Sequence, residues 1–176
     1  TVTIAYGNSE KRQSLISHET DFTIINYDGV NVVQDEIIKQ DYDLIIIDEA
    51  NAYKNASTKR WRVMKKILKE DTWLWMLTGT PAAQSPIDAH GIGKLCVPSN
   101  IHSSKMAFRN QVMYPVSKFK WVAKPNAQDI IYKTLQPAIR FSKEECLDLP
   151  DVSYIYREAP MTLQQKHYYK ILQREF

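Results

Sequence analysis

Over the first eighty residues, short apolar runs alternate with stretches whose apolar positions recur at helical spacing. Val2–Tyr6, Phe22–Tyr27 and Trp73–Leu77 read as strands. Asp43–Asp48 sets Leu-Ile-Ile-Ile between two aspartates and reads as a strand buried on both faces. Between them, Ser9–Ser17, Val30–Lys39 and Ser57–Glu70 read as helices. Val30, Val33, Ile37 and Ile38 share one side of the second, and Trp61, Met64, Ile67 and Leu68 line the third, which Ser57 or Thr58 can cap. The alternation predicts an α/β fold, a parallel sheet flanked by helices.

Beyond Pro81 the alternation stops. Ile87–Leu95, Lys105–Tyr114, Ala127–Leu135 and Thr162–Phe176 read as helices, with Ala138–Ser142 and Ser153–Arg157 as short strands. Met106 and Met113, seven residues apart, are expected in the core. The expected organisation is an α/β part over 1–100, a mostly helical basic segment over 101–143 and an exit segment over 144–176.

Charge sharpens that division. The net charge of +3 conceals a strong asymmetry. Residues 1–100 hold 11 Lys and Arg against 13 Asp and Glu, and residues 144–176 hold 4 against 6. Residues 101–143 hold Lys105, Arg109, Lys118, Lys120, Lys124, Lys133, Arg140 and Lys143 against Asp129 alone. Phe108, Tyr114, Phe119, Trp121, Tyr132 and Phe141 are interleaved with them. Cations attract a phosphate backbone through counterion release and aromatic faces stack on bases, while a solvated basic face with inward aromatics explains the same pattern. With 44% hydrophobic and 24% charged residues, the chain is neither disordered nor collagen-like. No apolar run is long enough for a membrane span, and no signal-peptide pattern is visible. Cys96 and Cys146 lack metal-type spacing and read as free thiols in a reducing, cytoplasmic setting. His18, His90, His102 and His167 are scattered without ligand spacing.

Two strand ends carry candidate chemistry. The Asp43–Asp48 strand delivers Asp48-Glu49-Ala50-Asn51 at its C-terminal end, the edge where open α/β sheets bind ligands. One carboxylate there can hold magnesium through water while its neighbour orients and deprotonates an attacking water. Taken alone, the pair also suits an ordinary hydrophilic strand end. The next strand closes on Leu77-Thr78-Gly79-Thr80-Pro81, where glycine permits a tight turn and the hydroxyls can bond the acidic pair or a nearby loop. By itself that is a turn, whereas both motifs at consecutive strand ends suggest a nucleotide site linked to a relay.

These motifs resemble motifs II and III of the superfamily-two helicases, the DEAD/DEAH-box-like enzymes. Lys54-Asn55 after the acidic box and Pro81-Ala-Ala-Gln84 after Thr-Gly-Thr resemble the Swi/Snf branch of double-stranded DNA translocases. Ile24-Ile-Asn26-Tyr27-Asp28 is similar to that branch's motif Ib, which touches a DNA strand, and Ile4-Ala-Tyr-Gly7 with Lys11-Arg12 fits the strand and helix before it. Arg140-Phe-Ser-Lys143, Leu149-Pro150, Gln164 or Gln165, and Tyr168 resemble the segment leaving the first lobe. Pro81–Ala89 and Phe119-Lys-Trp121 look like bacteriophage-encoded members, which would place the protein in an infected bacterial host.

The resemblance implies a partial RecA-like lobe working with ATP and magnesium. Asp48 would bind the metal, Glu49 would activate water, and Thr78, Gly79 and Thr80 would couple hydrolysis to movement. Asn51 stands where the family usually has histidine, and its amide can still bridge by hydrogen bonds. Asn26, Tyr27, Lys54, Arg109, Lys118, Lys120, Trp121 and Lys124 would contact nucleic acid, double-stranded DNA being favoured and RNA not excluded. A phosphate-binding G-x-x-x-x-G-K-[ST] loop does not occur. At Gly93-Lys94, Asp88 replaces the first glycine and Leu95 the hydroxyl. In the family that loop precedes the first strand here and a second RecA-like lobe follows, so the chain reads as the C-terminal part of lobe one, inactive by itself. Without a neighbour, Trp73–Leu77 would be an apolar edge prone to self-association. A non-catalytic nucleic-acid-binding or scaffold domain of helicase shape, or a restriction-type translocating subunit, would show much of the same pattern.

Overall fold

A computed structural model describes residues 1–146 and 153–175. Leu149-Pro150 and Phe176 lie outside the described residues. Contacts divide the chain into two compact units, Thr1–Ile139 and Arg140–Phe176.

The first unit begins with β1 (Val2–Ala5), α1 (Ser9–Ile16), β2 (Phe22–Ile25), α2 (Tyr27–Val32) and α3 (Gln34–Gln40). It continues through β3 (Leu44–Ile47), a 3-10 turn (Ala50–Tyr53), α4 (Lys59–Ile67) and β4 (Trp73–Met76). β1 pairs with β2 and β3 with β4, both parallel. The α/β expectation therefore holds, in the form of two parallel pairs flanked by helices. Tyr42 ties the pairs together, its hydroxyl donating to Thr23 Oγ1 at 2.8 Å.

Side-chain caps start α1, α2 and α4. Asn8, Asn26 and Thr58 accept the backbone N–H groups of Lys11, Gly29 and Trp61, satisfying donors that the first turn of a helix leaves free. The expected Val30–Lys39 helix is instead split at Val33, whose φ of −119° and ψ of 30° leave the helical region. The Asn26 cap starts α2 earlier than periodicity suggested, and the break keeps Val30, Val33 and Ile37 all buried.

The helices bury one side of the strands. Ala5, Ile16, Val30, Val33, Ile47, Ala50, Tyr53, Trp61 and Met64 belong to one hydrophobic cluster. The strands' other side chains are exposed, among them Ile4, Phe22, Ile24, Ile46, Trp73 and Trp75. The expectation that Asp43–Asp48 is buried on both faces is thus corrected: Ile45 and Ile47 turn inward, while Leu44 and Ile46 are open. Trp73 and Trp75 are 71% and 54% exposed, so an apolar face as well as an edge stands uncovered among the described residues.

A smaller cluster follows, built by α5 (Ala89–Cys96), α6 (Lys105–Val112), β5 (Met113–Pro115), β6 (Trp121–Ala123) and α7 (Ala127–Thr134). Ala89, Ile101, Phe108, Val112, Met113, Ala127 and Ile131 form its interior. β5 and β6 make an antiparallel hairpin that periodicity did not reveal. The expected Lys105–Tyr114 helix stops at Val112, and Met113 enters the hairpin. Helical spacing therefore does not relate Met106 to Met113: Met113 is buried, and Met106 is 55% exposed rather than in the core.

The second unit holds α8 (Lys143–Cys146) and α9 (Leu163–Glu175), and Thr162 caps α9, accepting the Gln165 N–H. The expected strands Ala138–Ser142 and Ser153–Arg157 do not form: 138–142 and 153–157 have no ladder partner among the described residues. Pro137, which has no N–H, offers a ladder no donor at the start of the first stretch, and the next N–H, of Ala138, is already bonded to Leu135 O. No described helix is long and apolar enough to cross a membrane.

Candidate functional site

The parallel register of β3 and β4 pairs Ile47 with Met76, so both strands run out at the same edge. Pairing continues past them: Leu77 N–H donates to Ile47 O, and Ala50 N–H donates to Leu77 O, each at 2.8 Å. Asp48-Glu49 and Thr78-Gly79-Thr80 consequently leave neighbouring strands at one rim.

Between strand and 3-10 turn the backbone reverses at Glu49, which has φ 50° and ψ 55°. A left-handed conformation costs a non-glycine residue about 1–2 kcal/mol. The Asp48 carboxylate offsets part of that cost by accepting the Glu49 N–H at 2.9 Å. Both acidic side chains are exposed, and neither forms an ion pair among the described residues. Thr78 Oγ1 accepts the Thr80 N–H at 3.3 Å, closing a small turn around Gly79. A Cβ added at Gly79 would meet nothing within 4 Å. Asn51 is less settled: its Oδ1 is buried without a hydrogen-bond partner among the described residues.

Tyr27 joins β2 to this rim. Its hydroxyl donates to Glu49 O at 3.3 Å, its ring meets Tyr53 edge-on at 5.7 Å, and the Arg60 guanidinium lies 5.0 Å above it. Burial raises the Tyr27 pKa, the Asp48 and Glu49 charges raise it further, and Arg60 opposes them. Tyr53 is more enclosed, and burial pushes its pKa up to about 12. Both phenols stay neutral and serve as packing and hydrogen-bonding groups.

Several residues expected on nucleic acid are engaged inside the protein. Asn26 Oδ1 accepts from Gly29 N–H and, at 2.9 Å, from Arg12, which also donates to Ala5 O and Gly7 O. Arg12 thus clamps the ends of β1 and β2. Lys54 Nζ donates to Gln84 Oε1 at 2.6 Å and lies 3.6 Å from Asp88 Oδ2. It bridges the segment after the acidic box to the segment after Thr-Gly-Thr, a link that only the fold reveals. Gly91 cements the seam, since a Cβ there would stand 2.2 Å from Lys54 O. Trp61 Nε1–H donates to Gly91 O at 2.8 Å.

The basic residues gather elsewhere. Arg109 stacks on Trp121 at 4.0 Å, and Lys124 Nζ donates to Asn110 O at 2.6 Å, satisfying a carbonyl at the end of α6. Lys118 and Lys120 are exposed at the hairpin tip. The protein-family model described as the SNF2-related domain matches residues 1–176. The chain belongs to the SNF2-related domain family. A search of curated proteins found no significant match. SNF2-related domains are helicase- and translocase-like and generally work with ATP and magnesium. Among the described residues no group of three His, Cys, Asp or Glu is arranged to hold a metal by itself.

Proposed function

We propose that this SNF2-related domain supplies the acidic half of an ATP-hydrolysing site in a double-stranded DNA translocase of phage type. The observation that carries the reading is the continued β3–β4 pairing, Ala50 N–H to Leu77 O, which makes the two motifs neighbours. The residues suit magnesium-bound ATP. Asp48 and Glu49 are exposed oxygen donors without cationic partners among the described residues, space is open at Gly79, and Asn51 Oδ1 is buried and unsatisfied.

Bound ATP would supply the phosphoanhydride bond whose hydrolysis drives movement. Asp48 would hold magnesium through water with the oxygen not bonded to Glu49 N–H. Glu49 would orient a water and take its proton. Thr78, Gly79, Thr80 and the Lys54–Gln84 bridge would transmit changes at this rim, with Asn51 free to accept a donor. The phosphate-binding loop and a second RecA-like lobe would come from outside these 176 residues. The uncovered apolar face would favour self-association of this segment in isolation.

The DNA grip is assigned chiefly to Arg109, Lys118, Lys120, Trp121 and Lys124. Asn26, Tyr27 and Lys54 would contribute less, because their polar atoms already serve the fold, and Lys124, whose ammonium also bonds Asn110 O, would contribute less than Lys118 and Lys120. Glu49→Gln in the full-length protein is expected to lower ATP turnover about 100-fold or more while DNA binding persists. Retained turnover would overturn the catalytic assignment. A full-length protein that binds DNA without any turnover would point to the scaffold alternative.

A further inference from the structure

The β5–β6 hairpin ends in a tight turn. Val116 N–H and Ser117 N–H donate to Lys120 O, and Lys120 N–H donates back to Ser117 O and Ser117 Oγ. Lys118 and Phe119 are therefore the two central residues. Glycine, asparagine, aspartate and proline favour such positions because each eases the backbone bend. Phenylalanine offers no such help. Phe119 is 88% exposed, and the Lys118 ammonium lies 5.5 Å from its ring centre. Neither central residue has a positive φ, so the turn imposes no requirement that a smaller side chain would fail.

The surroundings identify what such a ring would meet. Every ion pair among the described residues lies within 1–88, and none involves Lys118, Lys120 or Arg109. The hairpin arms are anchored: Lys124 N–H extends the pairing to Val112 O, and Met113 and Val112 are buried. An aromatic ring is thus held out on an anchored arm between two cations with no ion-pair partner among the described residues.

We propose that Phe119 is a stacking wedge for nucleic acid, packing against a base while Lys118 and Lys120 hold the flanking phosphates. Aromatic faces stack on any base, and apolar side chains inserted at a base step unstack it. The two lysines add a sequence-independent attraction. This inference rests on the proposed DNA grip and adds to it a residue, Phe119, and a mode, base contact at the tip.

The test uses the full-length protein with DNA carrying 2-aminopurine, as a duplex and as a single strand. Binding by the wild type is expected to change the probe's fluorescence. Phe119→Ala should abolish that change and weaken binding about 5- to 150-fold, and Phe119→Trp should restore both. Lys118→Ala and Lys120→Ala should each lower the salt slope by about one. If Phe119→Ala binds as the wild type with an unchanged probe signal while the lysine variants lose salt dependence, the wedge is wrong and the DNA grip stands. If the wild type does not bind DNA, the grip itself fails and the wedge falls with it. Phe119-dependent binding to anionic vesicles in place of DNA would also overturn the proposal.

Discussion

At the acidic rim, the groups around Asp48-Glu49 are bonded within the protein: Tyr27 to Glu49 O, Asp48 to Glu49 N–H, Lys54 to Gln84, Arg12 to Asn26. At the basic hairpin, Lys118 and Lys120 stand in water with no ion-pair partner among the described residues. The rim carries a left-handed Glu49 and a closely packed Gly91 seam, the geometry that the proposed proton transfer to Glu49 would use. A phosphate backbone is met by charge more than by geometry, so the proposed grip would call for a firm base and free ends at the hairpin. Distinct hydrophobic clusters support the two regions, one under the parallel strands and one under the hairpin.

Removing the base of the hairpin should break this contrast most severely. Phe108 is fully buried in the smaller cluster, and Phe108→Ala is expected to cost about 3–5 kcal/mol in urea unfolding. Hydrogen exchange should quicken at Tyr114 and Val122 while Ile47 and Trp75 stay protected. Equal loss at both places would show one cooperative core. Gly91→Ala strikes the seam instead, forcing a Cβ against the Lys54 backbone, and about 1–3 kcal/mol of destabilisation is expected.

His90, 2% exposed, supplies a pH-dependent probe of the smaller cluster. Its Nε2–H donates to His102 O at 3.1 Å, and Nδ1 is buried without a partner. Burial lowers its pKa, and Lys94 and Lys105 lower it further against the opposing pull of the His102 carbonyl. The unfolded chain then takes up a proton near pH 6.5 while the folded chain resists it. The His90 contribution is complete above that pH and declines as pH falls through it. The urea midpoint of His90→Gln, whose amide can still donate, should fall less between pH 7 and 5 than the wild type's.

The smallest change separates stability from function at the rim. Nothing stands within 4 Å of a Cβ at Gly79, so Gly79→Ala should shift stability by no more than about 0.5 kcal/mol. Any fall in ATP turnover of the full-length protein would then report on the Thr78–Thr80 turn itself.

Strand and helix placement was legible through Leu77 because each element there carries its own signal: an apolar run, a stripe at helical spacing or a cap such as Thr58. The hairpin was hidden because its three-residue strands are too short to establish alternation, and Val112 ends α6 with no breaker. The break at Val33 escaped for a similar reason, since a two-piece helix and a continuous one present the same apolar residues.

The candidate chemistry of Asp48-Glu49 and Thr78-Gly79-Thr80 could be read from letters alone, because each motif is contiguous and follows a strand. Their adjacency at one rim, the Lys54–Gln84 bridge and the intramolecular bonding of Asn26 and Tyr27 depended on the fold. A linear pattern records which groups can bond, whereas choosing among partners requires distances between residues far apart in the chain. The amino-acid sequence thus determined the classes of element and the inventory of charge. Tertiary packing decided which charges are spent inside the protein and which remain free at its surface.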